Sequence, residues 1–240
     1  MSERLLEARG VRKQFAGLVA VSDVDLHVTR GEILGVIGPN GAGKSTLFNL
    51  LTGQLALNAG AVMLEGHAIS RLLPHQRAER GLGRTFQIAR PFMALSALEN
   101  VTIGALLRSR KPKAARERAA EVLETVGLAR RADAKAHAMT LSERRRLEVA
   151  RALATEPKLM LLDEVMAGLN ATEIAQQVEL FRQLHAKGMT FIVIEHNLKV
   201  IREFSQRVVV LDRGAKIADG LPHEVLADPR VVHAYLGGRS

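Results

Sequence analysis

The stretch "GPNGAGKST" at residues 38–46 constrains the fold more than any other part of the chain. It follows the apolar segment "EILGVI" and opens into "KSTLFNLL", so the pattern G-x-x-x-x-G-K-[ST] joins a short buried strand to a helix. Its glycines let the backbone turn sharply and point N–H groups at an anion. A chance glycine-rich turn is the alternative, but the strand-to-helix context favours a phosphate-binding loop.

This loop carries side chains suited to a nucleoside triphosphate. Lys44 would reach the β- and γ-phosphates, and Ser45 would bind Mg²⁺. The helix N-terminus adds a partial positive charge. The predicted nucleotide-binding residues of the loop are Gly38, Pro39, Asn40, Gly41, Ala42, Gly43, Lys44, Ser45 and Thr46.

The run "LMLLDE" supplies two carboxylates further along the chain. Its apolar residues predict a buried strand with Asp163 at the carboxyl end, which is where ligands bind in α/β sheets. Asp163 would hold Mg²⁺ directly or through water, and Glu164 could polarise an attacking water. The alternative is a polar pair that caps the next helix, and the presence of a phosphate loop favours the catalytic interpretation.

The order of apolar patterns predicts an α/β fold. Alternating segments such as "VAVSDVDLHV" indicate β-strands in the first third, and helical spacing dominates from about residue 90 to 151. From residue 158 onward, continuous apolar strands alternate with amphipathic helices, which indicates a parallel sheet covered on both faces.

Composition narrows the class of protein. The 240 residues include no cysteine, which excludes disulfides and thiolate metal sites. No apolar run approaches the roughly 18 residues that span a bilayer, and the start is too charged for a secretory signal, so we expect a cytoplasmic location. The net charge of +9 allows a nucleic-acid or anionic membrane partner, although solvated surface charge is the simpler interpretation.

At this point the chain resembles the ATP-binding cassette ATPases over nearly its whole length. The motifs occur in family order, from "GPNGAGKST" through "GRTFQ", "LMLLDE" and "AGLN" to "VIEHN". The resemblance implies a P-loop NTPase with a parallel-sheet core, an N-terminal antiparallel β subdomain and an inserted helical subdomain. It implies one domain over 1–240, with the core and β subdomain in 1–87 and 152–240 and the helical subdomain in 88–151.

The resemblance also implies roles for three further residues. Phe15 would stack on adenine, Gln87 would sense and bind Mg²⁺ and join the helical subdomain, and His196 would act in catalysis at the γ-phosphate, together with Glu164 and Lys44. Each has a simpler alternative. Phe15 could belong to the core, Gln87 could be a surface amide, and His196 could cap the following helix.

The family signature, L-S-G-G-Q, is altered in this chain. Ungapped alignment of "RRLEVARAL" places Met139, Thr140, Leu141, Ser142 and Glu143 on it, while a shift of two residues gives "LSERR". Both glycines are missing in either alignment, and the side chains of Leu141 and Ser142 could obstruct a close approach. In the family two cassettes close face to face, and each signature contacts the γ-phosphate that its partner holds.

This loss predicts a weakened signature. Thr140 and the following helix could still donate to a phosphate, and the adjacent arginines are interpreted as the solvated or phosphate-facing start of that helix. If the partner cassette has a normal signature, the ATP-hydrolysing sites would be asymmetric.

Several segments resemble the ATP-binding subunits of branched-chain amino acid importers: "GRTFQIARPFMALSALENV", "DEVMAGLN", "VIEHN" and "DPRVVHAYLGG". The resemblance implies ATP and Mg²⁺, a second cassette subunit in a hetero- or homodimer, transmembrane permeases and, indirectly, a solute-binding protein. It implies a position on the inner face of the cell membrane. Val165 departs from the proline usual after the catalytic glutamate.

Other functions remain open at this point. A lipopolysaccharide-export cassette is similar in size and ends in "YLG". A soluble cassette ATPase that acts on nucleic acid is disfavoured because long insertions and a second cassette are missing, so no nucleic-acid partner is expected. A regulatory nucleotide binder without turnover is disfavoured because Glu164 and His196 are present.

Overall fold

A computed structural model of the chain describes residues 3–85 and 91–236. The chain divides into two compact units, one formed by Met1–Arg77 and Lys187–Ser240 and the other by Ala78–Ala186. Within the described residues, no helix has the length and apolar character needed to cross a membrane.

The first unit contains two sheets. One is antiparallel with the order β2-β1-β4-β5, and in the other β9, β3 and β8 are parallel neighbours with β10 antiparallel to β9. The strands are β1 Arg4–Phe15, β2 Leu18–Thr29, β3 Ile33–Ile37, β4 Ala59–Leu64, β5 His67–Ala68, β8 Thr190–Ile194, β9 Arg207–Asp212 and β10 Ala215–Gly220. The helices are α1 Lys44–Leu51, α7 Leu198–Phe204, α8 Pro222–Ala227 and α9 Pro229–Leu236, and α2 Pro74–Glu79 crosses the boundary between the units.

The second unit is mostly helical. Its parallel strands are β6 Leu82–Arg84 and β7 Leu159–Asp163. Its α-helices are α3 Ala97–Ala105, α4 Pro112–Thr125, α5 Leu141–Leu153 and α6 Ala171–Ala186, and short 3₁₀ turns lie at Ala129–Arg131 and Ala136–Ala138. The narrower helical subdomain that the resemblance implies at 88–151 stays a prediction.

Buried strands and tight hairpins explain this architecture. Every residue of β3, β7 and β8 is buried, as the continuous apolar runs predict for strands covered on both faces. The antiparallel edge formed by β10 was not predicted from the sequence. It follows from a two-residue turn in which Arg213 and Gly214 both have positive φ, of 46° and 81°, as a tight hairpin requires. The α/β class and the antiparallel N-terminal sheet are confirmed.

Arg77 closes the end of the helix that follows the phosphate loop. It is only 1% exposed, and its guanidinium donates to the carbonyls of Leu50 and Leu51 at 2.8 and 2.6 Å and to those of Ser70 and Leu72 at 2.9 and 3.1 Å. Burial lowers the pKa of Arg77 to about 10, which still leaves a cation at neutral pH. A cation at this end of α1 supplies donors to carbonyls of the last helical turn and complements the negative end of the helix dipole.

We expect Arg77→Met to lower the free energy of unfolding by about 2–4 kcal/mol, because several buried carbonyls lose their donor. Urea denaturation measures this loss. Arg71→Met is the matched control, since Arg71 is exposed a short distance away, and it should stay within about 0.5 kcal/mol of the parent chain. Equal losses from the two variants would contradict this role for Arg77.

Candidate nucleotide-binding site

The phosphate loop begins where β3 ends, and two of its positions admit only glycine. Gly38 has a φ of 151°, and a Cβ there would lie 2.1 Å from the carbonyl oxygen of Leu211. Gly43 has a φ of 99°, and its Cβ would lie 2.4 Å from the carbonyl oxygen of Ala20. Such distances are far shorter than any van der Waals contact, so Gly38 and Gly43 are required by the packing around the loop as well as by its turns.

Lys44 is the first residue of α1 and is 6% exposed. Its ammonium donates to the carbonyl oxygens of Gly38 at 2.7 Å and Pro39 at 3.0 Å. Asn40, Gly41 and Ser45 are exposed. A buried cation at the start of a helix, beside an exposed glycine-rich turn, is suited to binding phosphate groups.

Two contacts from distant parts of the first unit hold the loop from outside. The carbonyl of Ala42 accepts a hydrogen bond from the N–H of Gly214 at 3.0 Å. The N–H of Gly38 donates to the phenolic oxygen of Tyr235 at 2.9 Å. Burial raises the pKa of Tyr235, and the hydrogen bond from Gly38 opposes that shift. Neither contact is evident from the sequence, because both join residues far apart in the chain.

Phe15 and His196 lie on the surface of the first unit. Phe15 ends β1 and is 43% exposed, with the Lys13 ammonium 5.1 Å from its ring centroid, so it is not a core residue. His196 is exposed after β8. Asn197 caps α7, because its Oδ1 accepts from the N–H groups of Lys199 and Val200. Phe15 is therefore not a core residue, and the residue that caps α7 is Asn197 and not His196. The roles of Phe15 at adenine and of His196 at the γ-phosphate stay predictions.

Asp163 ends β7 in the second unit and is 2% exposed. Arg84, from the neighbouring strand β6, places its Nη2 at 2.9 Å from Oδ2 of Asp163. The main-chain N–H of Asp163 donates to the hydroxyl of Thr85 at 3.2 Å. A buried carboxylate is stable only with such a partner. Arg84 lies within "GRTFQ", but that motif does not reveal this ion pair.

Glu164 occupies a strained backbone position. It is 7% exposed and has a φ of 50°, which lies in the left-handed region. This conformation costs a non-glycine residue about 1–2 kcal/mol. Val165, which replaces the usual proline, is fully buried. The next helix, α6, is capped by Asn170 and Glu173, whose side chains each accept from the other's main-chain N–H at 3.0 Å. The carboxylates at 163 and 164 do not cap it, and strain of this kind is typical of functional positions.

The altered signature is a self-capped helix start. Thr140 is the N-cap of α5, and its hydroxyl accepts from the N–H of Glu143 at 3.2 Å. The carboxylate of Glu143 accepts from the N–H of Thr140 at 2.9 Å and pairs with Arg131 at 3.0 Å. Leu141 is exposed and Ser142 is buried. A carboxylate therefore occupies the place where an open helix terminus would attract phosphate.

The arginines that follow are less solvated than the sequence suggested. Arg145 is 6% exposed and lies 3.9 Å from the carboxylate of Glu148, which is also buried. Arg146 is partly exposed and donates to the side chain of Gln176 at 2.5 Å. For Arg145 the interpretation as a solvated or phosphate-facing residue was wrong. Its position on the helix directs its side chain toward the interior of the second unit.

One candidate residue cannot be placed. Gln87 lies outside the described residues, so its proposed roles in binding nucleotide and Mg²⁺ stay predictions. Among the residues that are described, no group of three or more His, Cys, Asp or Glu side chains could hold a metal ion. The remaining candidate ligands, the hydroxyl of Ser45 and the carboxylate of Asp163, are hard oxygen donors of the type Mg²⁺ prefers beside substrate phosphates.

This architecture and phosphate loop define a P-loop nucleotide-binding protein. The family model described as "ABC transporter" matches residues 21–167, and the one described as "Branched-chain amino acid ATP-binding cassette transporter" matches residues 215–240. The chain belongs to the ABC transporter family and is an ATPase of that family.

Characterised relatives match nearly the whole chain. The high-affinity branched-chain amino acid transport ATP-binding protein BraF of Pseudomonas aeruginosa is 37% identical over 99% of each chain, and LivG of Escherichia coli K12 is 36% identical over the same shares. The lipopolysaccharide export system ATP-binding protein LptB of Haemophilus influenzae is 36% identical over 97% of each chain. The solved ADP conformation of the cassette MJ1267 has a TM-score of 0.89 and 32% identity over 98% of this chain and 99% of that one.

We expect Arg84→Met to lower the free energy of unfolding by about 3 kcal/mol, because it leaves the buried Asp163 carboxylate without the cation beside it. Urea denaturation measures the loss. Asp163→Asn removes the negative charge with which Arg84 pairs, so the double variant should lose clearly less than the two single variants together. Additive losses would show that the two side chains stabilise the fold independently.

Proposed function

We propose that this chain binds and hydrolyses ATP to power a membrane transporter that imports branched-chain amino acids or related solutes. The observation that carries the ATPase assignment is the loop at 38–46, in which two sterically closed glycine positions and the buried Lys44 ammonium form a phosphate cradle. The similarity to BraF and LivG over the full chain supports the transport assignment.

In this proposal the loop binds the triphosphate and Phe15 stacks on the base. The main-chain N–H groups and the α1 N-terminus neutralise phosphate charge, and Lys44 leaves its resting contacts with the Gly38 and Pro39 carbonyls to bind the β- and γ-phosphates. The exposed face of Phe15 is available for stacking, because a ring that is 43% exposed presents apolar surface to solvent.

Hydrolysis is assigned to three side chains. Glu164 would polarise the attacking water, and Lys44 and His196 would stabilise the charge that develops on the γ-phosphate. Ser45, Gln87 and Asp163 would hold Mg²⁺, which neutralises charge on the phosphate oxygens when it is bound. The left-handed backbone at Glu164 supports its assignment, since strain is retained where a side chain must take a particular direction.

The proposed assembly places the chain on the inner face of the cell membrane. It would pair with a second cassette subunit and dock on transmembrane permeases, with a solute-binding protein acting through them. Family membership implies a transport system with permeases, whereas the identity of the partner cassette and of the solute belongs to the proposal.

Lipopolysaccharide export is the less favoured function. The similarity to LptB is almost as high as that to BraF. The match of the chain's C-terminal residues 215–240 to the branched-chain amino acid family model favours amino-acid import.

Lys44→Ala should abolish ATP binding or lower turnover by at least about 100-fold, because it removes the cation that meets the phosphates. Binding of a fluorescent ATP analogue and phosphate release from the assembled transporter measure the two effects. Lys187→Ala is the matched control, since Lys187 is an exposed lysine outside the loop, and it should behave as the parent. Normal ATPase activity from Lys44→Ala would overturn the assignment.

The self-capped signature supports asymmetry between the two ATP sites of the assembly. Glu143 satisfies the N–H of Thr140 and is paired with Arg131 at 3.0 Å. A γ-phosphate on the partner cassette would meet an N–H group that is already satisfied within the chain instead of an open helix terminus. The ATP bound by this chain would depend on the partner's signature instead.

Glu164→Gln in this chain should therefore reduce ATP hydrolysis by the transporter more than the same change at the matching glutamate of the partner cassette. Each variant is assembled with the unmodified other subunit, so the two complexes control for one another, and phosphate release is measured at saturating MgATP. Equal losses from the two complexes would contradict asymmetric sites.

A further inference from the structure

A tyrosine of the C-terminal helix contacts the first peptide of the phosphate loop. Tyr235, the only tyrosine in the chain, lies in α9, and its phenolic oxygen accepts a hydrogen bond from the N–H of Gly38 at 2.9 Å. The two residues are 197 positions apart, and both belong to the first unit. This contact therefore links the last described helix to the loop that binds phosphate.

Three neighbouring residues contact or enclose the backbone of Gly38. Its carbonyl oxygen accepts from the Lys44 ammonium at 2.7 Å, while its N–H is bound by Tyr235. The carbonyl oxygen of Leu211 leaves no room for a side chain. The two hydrogen bonds lie on the two peptide groups that meet at Gly38, so its backbone torsions connect the position of Tyr235 to the carbonyl that contacts Lys44.

The phenolic oxygen is the group that satisfies this N–H. Gly38 is buried, and a buried N–H without an acceptor costs about 1–3 kcal/mol, so its loss would favour rotation of the peptide. Burial raises the pKa of Tyr235, so the phenol stays neutral at physiological pH. A neutral oxygen accepts the hydrogen bond without placing an anion next to the triphosphate.

We propose that Tyr235 is a positioning residue for nucleotide binding, which fixes the Gly38 peptide and thereby couples helix α9 to occupancy of the phosphate loop. This inference rests on the proposed nucleotide site. Coupling between two sites is reciprocal. A nucleotide that binds more tightly when Gly38 is bonded to Tyr235 must therefore also stabilise α9.

The first test is Tyr235→Phe in the full chain, which keeps the ring and removes only the acceptor. The Kd for ATP, measured with a fluorescent analogue and competing ATP, should rise by about 2- to 10-fold, the range of a single hydrogen bond. In the assembled transporter KM for ATP should rise in parallel, while kcat stays within about twofold, because Tyr235 is not assigned to any reacting atom. Val232→Ala, an exposed position of the same helix, should change neither value.

If the hydrogen bond to Tyr235 served only the stability of the fold, Tyr235→Phe would lower the melting temperature of the nucleotide-free chain and leave Kd and KM unchanged. That outcome would overturn the proposal. An equal rise in Kd for Val232→Ala would overturn it as well.

The second test measures hydrogen exchange in the unmodified chain and in the Tyr235→Phe variant. Hydrogen exchange of the α9 amides in the unmodified chain should slow when MgADP is added, and this protection should disappear in Tyr235→Phe. Exchange that does not respond to nucleotide in the unmodified chain would contradict the coupling.

Measuring Lys44→Ala in the same experiments distinguishes failure of the phosphate-loop assignment from failure of the role proposed for Tyr235. If Lys44→Ala retains parental ATP binding, the phosphate-loop assignment fails and this inference falls with it. If Lys44→Ala loses binding while Tyr235→Phe retains it, only the role of Tyr235 is wrong.

Discussion

The contact of the Lys44 ammonium with the Gly38 carbonyl is the interaction on which the rest of the site depends. It pairs a buried cation at the start of α1 with a main-chain carbonyl and joins the beginning of the loop to the helix that follows it. The packing around the loop restricts it further, since Leu211 and Ala20 leave room only for glycine at positions 38 and 43. Close packing of this kind leaves the loop backbone few alternative conformations.

In the second unit, the carboxylates of Asp163 and Glu164 lie in two different environments. Asp163 is buried at the end of β7 and is balanced by Arg84, whereas Glu164 is held with left-handed backbone geometry. Both arrangements lower the stability of the chain relative to an apolar strand end, because a buried charge and a strained residue each cost free energy. Their retention at one strand end is what functional constraint predicts.

The start of α5 shows how a local capping motif changes a functional surface. Thr140 and Glu143 form a complete capping box, which stabilises the helix by satisfying two main-chain N–H groups within the chain. The same bonds satisfy N–H groups that an uncapped helix start would leave open to a ligand. The segment that lacks the glycines of the family signature is therefore also a stabilised helix start.

From the sequence alone, the local patterns determined the α/β class, the phosphate loop and the strand that carries Asp163, because apolar periodicity and a contiguous glycine motif act over a few residues. The sequence did not reveal the pairing of Arg84 with Asp163 or the bond from Gly38 to Tyr235, since residues on separate elements meet only after the strands and helices pack. Burial of Arg145 was also decided by packing, because an arginine-rich segment has the same composition whether its side chains face solvent or a carboxylate. A motif of adjacent residues can be recognised from the sequence, whereas the partner of a buried charge depends on which elements pack together in the tertiary structure.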